Sequence, residues 1–179
     1  MRKLRLSELG RLSEEEFRAS EKFPLLLVLD NIRSFHNTGS VFRSADAFRI
    51  SGIFLCGYTP CPPNREIHKT ALGAEQSVAW EYHKNITDAL IRLREEGWTL
   101  TALEHTDHSL PLEEFKPQPG EKIALLLGNE VDGISEEALK LCTRFVEIRQ
   151  YGTKHSLNVS VAAGIVLHDV VEKMRIAGS

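Results

Sequence analysis

The chain is predicted to adopt an α/β fold, with a mainly parallel sheet and helices on both faces. Short apolar runs alternate with amphipathic segments that carry helix-capping residues, which is the pattern of strand–helix–strand units. The runs at 25–30 and 123–128 are almost wholly apolar, as expected for strands buried on both faces. A length of 179 residues suits one such unit, with a core that needs neither disulfides nor metals.

Local signals set the expected order of the elements. Ser13 with Glu16 three residues later forms a capping box, which predicts a short helix over 13–18. Ser135, flanked by Ile134 and Leu139 as a hydrophobic staple, is the expected N-cap of a later helix. The other expected elements are strands over 25–30, 53–57, 77–82, 98–103, 123–128 and 144–148, and helices over 40–48, 68–76, 87–97 and 157–175. The chain thus divides into an N-terminal helical segment, residues 1–22, and a main domain, residues 23–179.

The composition is that of an ordinary soluble globular protein, with 42% hydrophobic and 26% charged residues. No apolar run approaches the roughly 20 residues that a membrane span needs. The N-terminal residues start basic but lack the apolar core of a signal peptide. We therefore expect a cytoplasmic protein with no membrane partner.

The charge distribution gives a mixed indication about nucleic acids. A net charge of −3 argues against a general nucleic-acid binder, because such proteins are usually basic. The basic side chains are nevertheless concentrated in the first half, within or near predicted loops: Arg33, His36, Arg43, Arg49, Arg65, His68 and Lys69. A local basic face on an acidic protein is compatible with this distribution.

The three cysteines, Cys56, Cys61 and Cys142, give no sign of a disulfide framework or a zinc site. Their number is odd, and their spacing matches no common zinc motif. We expect free thiols and no bound metal.

Polar and small residues are concentrated in the loops that follow four of the predicted strands, those ending near residues 30, 103, 128 and 148. In open parallel sheets, ligands bind beyond the carboxyl ends of the strands. The functional residues are therefore expected in these loops.

The first candidate constellation is Asn37, Gly39 and Arg43, at the start of the predicted helix after the first strand. Free amides at a helix N-terminus, with a glycine that allows close approach, suit a phosphate or carboxylate. Arg43, one turn into the helix, has the bidentate geometry for phosphate. The alternative is an ordinary loop with a solvated arginine.

The second constellation runs from Gly128 to Gly133 and includes Asn129 and Glu130. Two glycines five residues apart let the backbone approach a ligand, and the segment has neither the GxGxxG nor the P-loop pattern. The alternative is a well-capped strand-to-helix turn.

The third constellation follows Gly152 and contains Ser156 and Asn158 at the start of the last predicted helix. Asn158 lies within an otherwise apolar element, where a buried amide needs hydrogen-bond partners. Ser156 has the alternative role of a simple N-cap.

Taken together, the three constellations resemble the three motifs of the SpoU, or TrmH, family of SPOUT RNA methyltransferases. The first family motif, Asn-x-Gly-x-x-x-Arg, is matched by Asn37, Gly39 and Arg43. The second, Leu-Gly-Asn-Glu-x-x-Gly-Leu-Ser, is matched by 127–135, with Ile134 for leucine. The third, Ser-Leu-Asn-Val-Ser-x-Ala, is matched by 156–162, and the resemblance extends from about residue 24 to 175.

The resemblance implies an S-adenosyl-L-methionine-dependent enzyme that methylates ribose 2′-hydroxyls of a structured tRNA or rRNA. It implies a deep trefoil knot in the C-terminal third, whose loops hold the cofactor without a metal. By position, the cofactor-binding residues are Leu103, Gly128, Ile148, Ser156 and Leu157. The catalytic residues carried over are Arg43, Asn37, Glu130 and Asn158.

The resemblance implies that Arg43 is the catalytic residue, and the arginine at this position of the motif is sometimes proposed to act as a base. A guanidinium resists deprotonation, so we assign Arg43 to phosphate anchoring and charge stabilisation, with a phosphate-assisted base role left open. Asn37 and Asn158 would position the ribose and Arg43, while Glu130 would hold the site together through hydrogen bonds.

The last predicted helix is apolar on two faces. Val159, Ala162, Val166 and Val170 mark one face, and Leu157, Val161, Ile165 and the neighbouring His168 mark the other. Packing on a second subunit would bury both faces, and the resemblance likewise implies a homodimer through this helix. The alternative is a helix that lies centrally within one protomer.

One departure from the family pattern concerns the cofactor loop. Family members usually have Pro-Met after the isoleucine at position 148, where this chain has Arg149 and Gln150. The change alters the loop that lines the cofactor site and adds a positive charge. This departure and the acidic charge balance favour one alternative function, a non-catalytic knotted RNA-binding or assembly protein. A second alternative is a methyltransferase acting on a base nitrogen, as in other SPOUT branches. The Ser-Leu-Asn motif favours the ribose.

Overall fold

A seven-stranded sheet forms the centre of the computed structural model, which describes residues 1–5, 8 and 10–178. The strands are β1 Phe23–Asp30, β2 Ile50–Cys56, β3 Trp80–His83, β4 Thr99–Leu103, β5 Leu110–Pro111, β6 Ile123–Gly128 and β7 Arg144–Glu147. Their order across the sheet is β3-β2-β1-β6-β4-β7-β5, and every neighbouring pair is parallel. The predicted parallel sheet is confirmed.

Helices cover both faces of this sheet. They are α1 Glu14–Ala19, α2 Phe35–Ala47, α3 Arg65–Ala71, α4 Ala74–Ser77, α5 Ile86–Glu95, α6 Glu136–Leu139 and α7 Val159–Ala177. Because side chains alternate along a strand, Leu27 of β1 packs with α1–α4 and α7, and Val28 packs with α5 and α6. The apolar side chains of both layers are buried, which explains why the central strands are apolar without interruption.

The N-terminal helix forms as predicted. The Ser13 hydroxyl accepts a hydrogen bond from the Glu16 N–H at 3.2 Å, and the Ser13 N–H donates to the Glu16 carboxylate at 2.7 Å. Phe17 of α1 is buried in the core that α2 and α7 share. The segment before β1 therefore packs onto the main domain.

Several predicted boundaries are wrong for local reasons. Helix α2 begins at Phe35 rather than at residue 40, because the Ser34 hydroxyl caps it by accepting from the Asn37 N–H at 3.2 Å. The helix predicted over 68–76 is two short helices, because Leu72 adopts a left-handed conformation with φ of 54° between them. Strand β5 has only two residues and left no pattern in the sequence.

Helix α7 is buried on one face within the protomer and open on the other. Val166 and Val170 are fully buried against the sheet and α2, whereas Val161 is 50% and Ile165 39% exposed. Of the two predicted apolar faces, the face with Val166 and Val170 is thus buried within one chain. Among the described residues, no helix combines the length and hydropathy that crossing a membrane requires.

The strand order brings the ends of β1, β6, β4 and β7 together. These four strands are neighbours in the sheet and run in the same direction, so their loops leave from one edge. From β7 the chain returns along this edge to α7, which packs on α2, β1 and β6. This return is compatible with the expected knot, and the knot itself stays a prediction.

Candidate functional site

A cavity of about 480 Å³ opens at the edge where β4, β6 and β7 end. Its walls come from the loops after these three strands and from the start of α7. All five residues predicted to bind the cofactor line it: Leu103, Gly128, Ile148, Ser156 and Leu157. The structure thus brings these residues together, and their role in binding stays a prediction.

The loop over 128–133 is folded tightly onto itself. A Cβ at Gly128 would lie 2.0 Å from the backbone carbonyl carbon of Gly133, and Gly133 itself has φ of 69°. The Asn129 side-chain oxygen accepts hydrogen bonds from the N–H groups of Val131 and Asp132, both at 2.9 Å. The compact turn itself therefore requires Gly128 and Gly133, whether or not a ligand approaches the backbone there.

Two carboxylates that the sequence reasoning missed hold this loop in place. Asp30 is buried at the end of β1 and accepts from the Ser135 N–H at 2.8 Å. Glu104 accepts from the N–H groups of Ile134 at 3.2 Å and His105 at 3.0 Å. The sequence contained a signal for Asp30, because a carboxylate at the end of an otherwise apolar strand needs hydrogen-bond partners when it is buried.

Ser135 differs from its predicted role as a capping side chain. It precedes α6, yet its hydroxyl makes no hydrogen bond with that helix and is buried without a partner among the described residues. Its backbone N–H, bound by Asp30, is the group that fixes the helix start.

Three of the four predicted catalytic residues form one hydrogen-bonded line. The Asn158 Nδ2 donates to the Asn37 Oδ1 at 3.1 Å, and the Asn37 Nδ2 donates to the Glu130 Oε1 at 2.5 Å. Asn158 is the N-cap of α7, where its Oδ1 accepts from the Ser160 N–H at 2.9 Å. The line joins the loops after β1, β6 and β7, and Glu130 also lines the cavity.

Arg43 lies apart from this line. It is six residues beyond Asn37 on α2, or about 9 Å along the helix axis. Neither Asn37 nor Asn158 contacts it, and no residue that the structure describes bonds or ion-pairs with its exposed guanidinium. Within one protomer the two asparagines therefore do not hold Arg43, and their role in positioning it stays a prediction.

Gly39 is a packing residue. A Cβ there would lie 2.1 Å from the Thr70 hydroxyl oxygen and 2.3 Å from the Ile67 carbonyl oxygen. The glycine is buried where α2 crosses α3, so it is closed to a ligand. Its interpretation as a place of close approach for a phosphate is wrong, because the helix starts earlier than predicted.

The cavity lining is acidic and partly apolar. Five carboxylates line it: Glu104, Glu130, Asp132, Glu136 and Glu147. None of the described lining residues is a lysine or arginine, so the local field favours a cation and disfavours phosphate groups. Leu103, Leu127 and Ile148 supply an apolar wall of the kind that an aromatic ring packs on.

The positive charge introduced by Arg149 does not enter the cavity. Its guanidinium donates to Glu113 at 2.9 Å and to Glu114 at 3.2 Å, on the side of the groove beside α7. Gln150, by contrast, lines the cavity. The positive charge that this departure adds therefore lies beside the groove, and the effect of the departure on cofactor binding stays open.

The sequence matches one family over most of its length. The model of the SpoU rRNA Methylase family matches residues 24–168. The chain belongs to the SpoU rRNA methylase family. The resemblance inferred from the three motifs is confirmed.

Curated relatives of this SpoU family member share about a third of its residues. It is 30% identical over 160 residues to the 23S rRNA (guanosine-2′-O-)-methyltransferase RlmB of Vibrio parahaemolyticus, covering 89% of this chain and 63% of that protein. The Neisseria meningitidis protein of the same name is 33% identical over 147 residues, with 82% of this chain and 57% of that protein covered. The chain thus spans less than two thirds of the length of these relatives.

Solved structures agree with the fold. The TrmH/SpoU tRNA modifying enzyme of A. aeolicus superposes with a TM-score of 0.81 at 23% identity, over 92% of this chain and 84% of that one. An AdoMet-bound rRNA methyltransferase from Sinorhizobium meliloti gives 0.77 at 28% identity, over 86% and 58% of the two chains. The predicted α/β fold class of the SpoU family is confirmed.

Most basic side chains of the first half are engaged with acidic partners in this SpoU family member. Arg33 pairs with Asp132 at 3.1 Å, and its contact with Tyr58 raises the pKa of the Arg33 guanidinium further. Hydrogen bonds from Lys69 and then His36 lower the pKa of Glu66. Of the seven basic side chains of the predicted face, Arg33, His36, His68 and Lys69 thus have acidic partners, and Arg43, Arg49 and Arg65 have none among the described residues.

The cysteines are free thiols, as predicted. Burial raises the pKa of Cys56 and of Cys142 to about 12 in each case, so both stay protonated at neutral pH. Within the described part of the chain, no group of three or more His, Cys, Asp or Glu side chains is arranged to hold a metal ion.

Proposed function

We propose that the chain is an S-adenosylmethionine-dependent methyltransferase that modifies a ribose 2′-hydroxyl of a structured tRNA or rRNA. The observation that carries this proposal is the acidic cavity with an apolar wall that opens beside the Asn37–Glu130–Asn158 line. A ligand site and a set of polar groups able to orient a sugar thus share one residue, Glu130.

The cavity suits this cofactor chemically. S-adenosylmethionine has a sulfonium and an ammonium group and lacks phosphates, which matches a lining with five carboxylates and no lysine or arginine among the described residues. The volume of about 480 Å³ is within the range of roughly 300–1,000 Å³ that small-molecule sites occupy. Leu103, Gly128, Ile148, Ser156 and Leu157 would hold the cofactor. Bound there, it supplies an electrophilic methyl group.

The polar line would position the ribose for an in-line displacement. Since the Asn158 Oδ1 is used by the α7 backbone, its Nδ2 is directed to Asn37, which in turn directs its own Nδ2 to Glu130. The second oxygen of Glu130 makes no hydrogen bond to any described residue, and we assign it to the 2′-hydroxyl proton. Holding the accepting 2′-oxygen in line with the methyl group supplies much of the reduction in activation free energy for such a transfer.

The charge-stabilising residue would come from a second copy. Ser44 and Phe48 of α2 lie beside Gly164 and His168 of α7, next to the open face with Val161 and Ile165. A second copy packed on this face would lie close to Arg43, which has no described partner in its own chain. We assign the protein to a homodimer in which Arg43 of one copy anchors RNA phosphate and stabilises charge at the polar line of the other.

The substrate class is inferred from the relatives. The Vibrio and Neisseria proteins are named for methylation of guanosine 2′-oxygens in 23S rRNA, and the A. aeolicus protein is described as a tRNA modifying enzyme. A base-nitrogen methyltransferase fits this set less well, because the Vibrio and Neisseria names specify a ribose oxygen. With cellular RNA as substrate, the expected location is the cytoplasm.

A binding and mapping experiment tests the proposal. We expect S-adenosylmethionine to bind at about one per subunit in calorimetry, unchanged by EDTA, because no group of His, Cys, Asp or Glu side chains among the described residues is arranged to hold a metal ion. We expect Arg43→Ala to bind it like the wild type but to methylate RNA about 10²–10³-fold more slowly, since one charge-stabilising donor is lost. Mass spectrometry of tRNA and rRNA from cells with and without the gene would identify the methylated ribose.

Two results would contradict the proposal. Absence of S-adenosylmethionine binding would exclude the enzyme and favour a knotted RNA-binding protein. A wild-type rate in Arg43→Ala would remove Arg43 from the site and leave Asn158 as the next candidate.

A further inference from the structure

We propose that Gln150 recognises the adenine edge of the bound cofactor and that Glu147 and His105 hold it in the required orientation. The inference rests on the proposed function, since it assumes an adenosine-containing cofactor in the cavity. It concerns the position where the chain departs from the usual family sequence. All three residues line the same cavity.

The three side chains form a relay with a defined direction. The Gln150 Nε2 lies 3.0 Å from the His105 Nε2, and the His105 Nδ1 lies 3.1 Å from the Glu147 Oε2. Because the Glu147 carboxylate only accepts, the Nε2 of a neutral His105 ring accepts from the Gln150 amide, and the ring N–H lies at Nδ1. That N–H then donates to the carboxylate of Glu147. The relay therefore fixes both the histidine tautomer and the orientation of the Gln150 amide.

The orientation leaves Gln150 with the donor and acceptor that adenine requires. One N–H is used by His105, so the amide oxygen and the second N–H remain. A glutamine amide pairs with adenine in a bidentate manner, its oxygen accepting from the N6 amino group and its N–H donating to N7. Leu103 and Ile148, which flank the relay in sequence, provide the apolar surface on which the ring would lie.

The other amide in the lining is already occupied. Asn129 is buried, and its side-chain oxygen accepts two backbone N–H groups of its own turn. Glu104, next to His105, likewise accepts two backbone N–H groups. Among the described lining residues, Gln150 is thus the amide side chain whose oxygen is left for a ligand.

The test compares S-adenosylhomocysteine with S-inosylhomocysteine, in which the N6 amino donor is replaced by a carbonyl acceptor. We expect wild-type protein to bind the inosyl ligand roughly tenfold or more weakly in calorimetry, because two acceptors then face each other. Gln150→Ala should bind S-adenosylhomocysteine about three- to tenfold more weakly, and the preference for adenine should fall at least threefold. A role in folding alone would not change this preference.

Three further variants examine the relay. His105→Ala should lower the adenine preference, and adding it to Gln150→Ala should lower it no further, because the two side chains act as one unit. Glu147→Gln keeps an acceptor for the His105 Nδ1–H and should retain the preference. The matched control is His108→Ala, in the same loop, 80% exposed and outside the cavity lining, which should match the wild type.

The outcomes separate this inference from the proposed function. Wild-type protein that binds neither S-adenosylmethionine nor S-adenosylhomocysteine would reject both. Wild-type binding with an adenine preference that Gln150→Ala leaves intact would overturn the role of Gln150 and leave the methyltransferase proposal standing.

Discussion

Asn37 joins three segments that are distant in sequence: the start of α2, the loop after β6 and the start of α7. It accepts a hydrogen bond from Asn158 and donates one to Glu130, and it lies in the first turn of α2. An asparagine suits this place because its amide offers an acceptor and a donor on one rigid group. Aspartate would lose the donor toward Glu130 and place two carboxylates together.

Replacing Asn37 should separate catalysis from cofactor binding. Asn37→Ala removes both links of the line, so we expect methyl transfer to fall about 10²-fold or more through lost positioning. Cofactor affinity should stay near the wild-type value, because Asn37 does not line the cavity. Single-turnover kinetics with saturating RNA and cofactor would measure the first effect, and calorimetry the second.

The neighbouring His36→Ala is the matched control. His36 is exposed and bonds to Glu66 at 2.9 Å, away from the polar line. Equal losses of rate in the two variants would mean that the effect comes from a disturbed helix start and not from Asn37.

Proximity of Asn37, Glu130 and Asn158 could be expected from the sequence, and the place of Arg43 could not. The rule that ligands lie at the carboxyl ends of parallel strands groups the first three. The sequence predicts that α2 starts at residue 40, with Arg43 one turn into it, because the polar residues before position 40 lack the helical spacing of apolar side chains. Ser34 begins the helix earlier, so Arg43 lies near its far end.

The contact between α2 and α3 depends on Gly39. The two helices approach so closely that no side chain fits between Gly39 and the backbone carbonyl of Ile67. This approach holds the start of α2, and with it Asn37, against the sheet edge. The motif glycine thus acts on the site through helix packing.

We expect Gly39→Ala to lower the free energy of unfolding by about 2 kcal/mol or more, since the backbone of α3 must shift. Urea denaturation monitored by circular dichroism would measure it. Gly152→Ala is the control, because its Cβ would meet nothing within 4 Å, and it should change stability by less than about 0.5 kcal/mol. Equal stability of Gly39→Ala and wild type would show that the α3 backbone can shift without a cost in the free energy of folding.

The elements themselves were predictable where one physical signal dominated. Strand β1 up to Leu29 and strand β6 are apolar and almost wholly buried, so their pattern is unambiguous. The break between α3 and α4 was missed because Leu72 adopts a left-handed conformation that leucine rarely takes. Strand β5 forms only through pairing with β7, which is a nonlocal contact.

At the scale of the whole molecule, an apolar surface beside α7 is uncovered in the described part of the chain. A groove beside the open face of α7 is lined by Leu112, Ile148, Val161, Ile165 and His168, among others. Exposed apolar surface next to a polar rim is typical of protein–protein interfaces. Sequence periodicity identified two apolar faces on this helix, and only the structure shows that Val166 and Val170 belong to the protomer core.

The separation of Arg43 from the polar line makes a prediction about mixed dimers. One subunit would carry Arg43→Ala and the other Asn158→Asp, which keeps the α7 cap but loses the N–H donated to Asn37. Each parent homodimer lacks a necessary group in both sites and should be inactive. If Arg43 acts on the partner's site, every hybrid dimer contains one complete site.

Random assortment makes about half of the dimers hybrid, so about a quarter of wild-type activity should return on mixing. Refolding the two variants together and measuring RNA methylation would test this. Adding Ile165→Asp to both chains places a charge on the open face of α7, where Ile165 is 39% exposed, and should abolish the recovery by preventing association. Hybrids isolated through two different tags that stay at the parental rate would show that Arg43 acts within its own chain, and that α2 must move to bring it to Asn37.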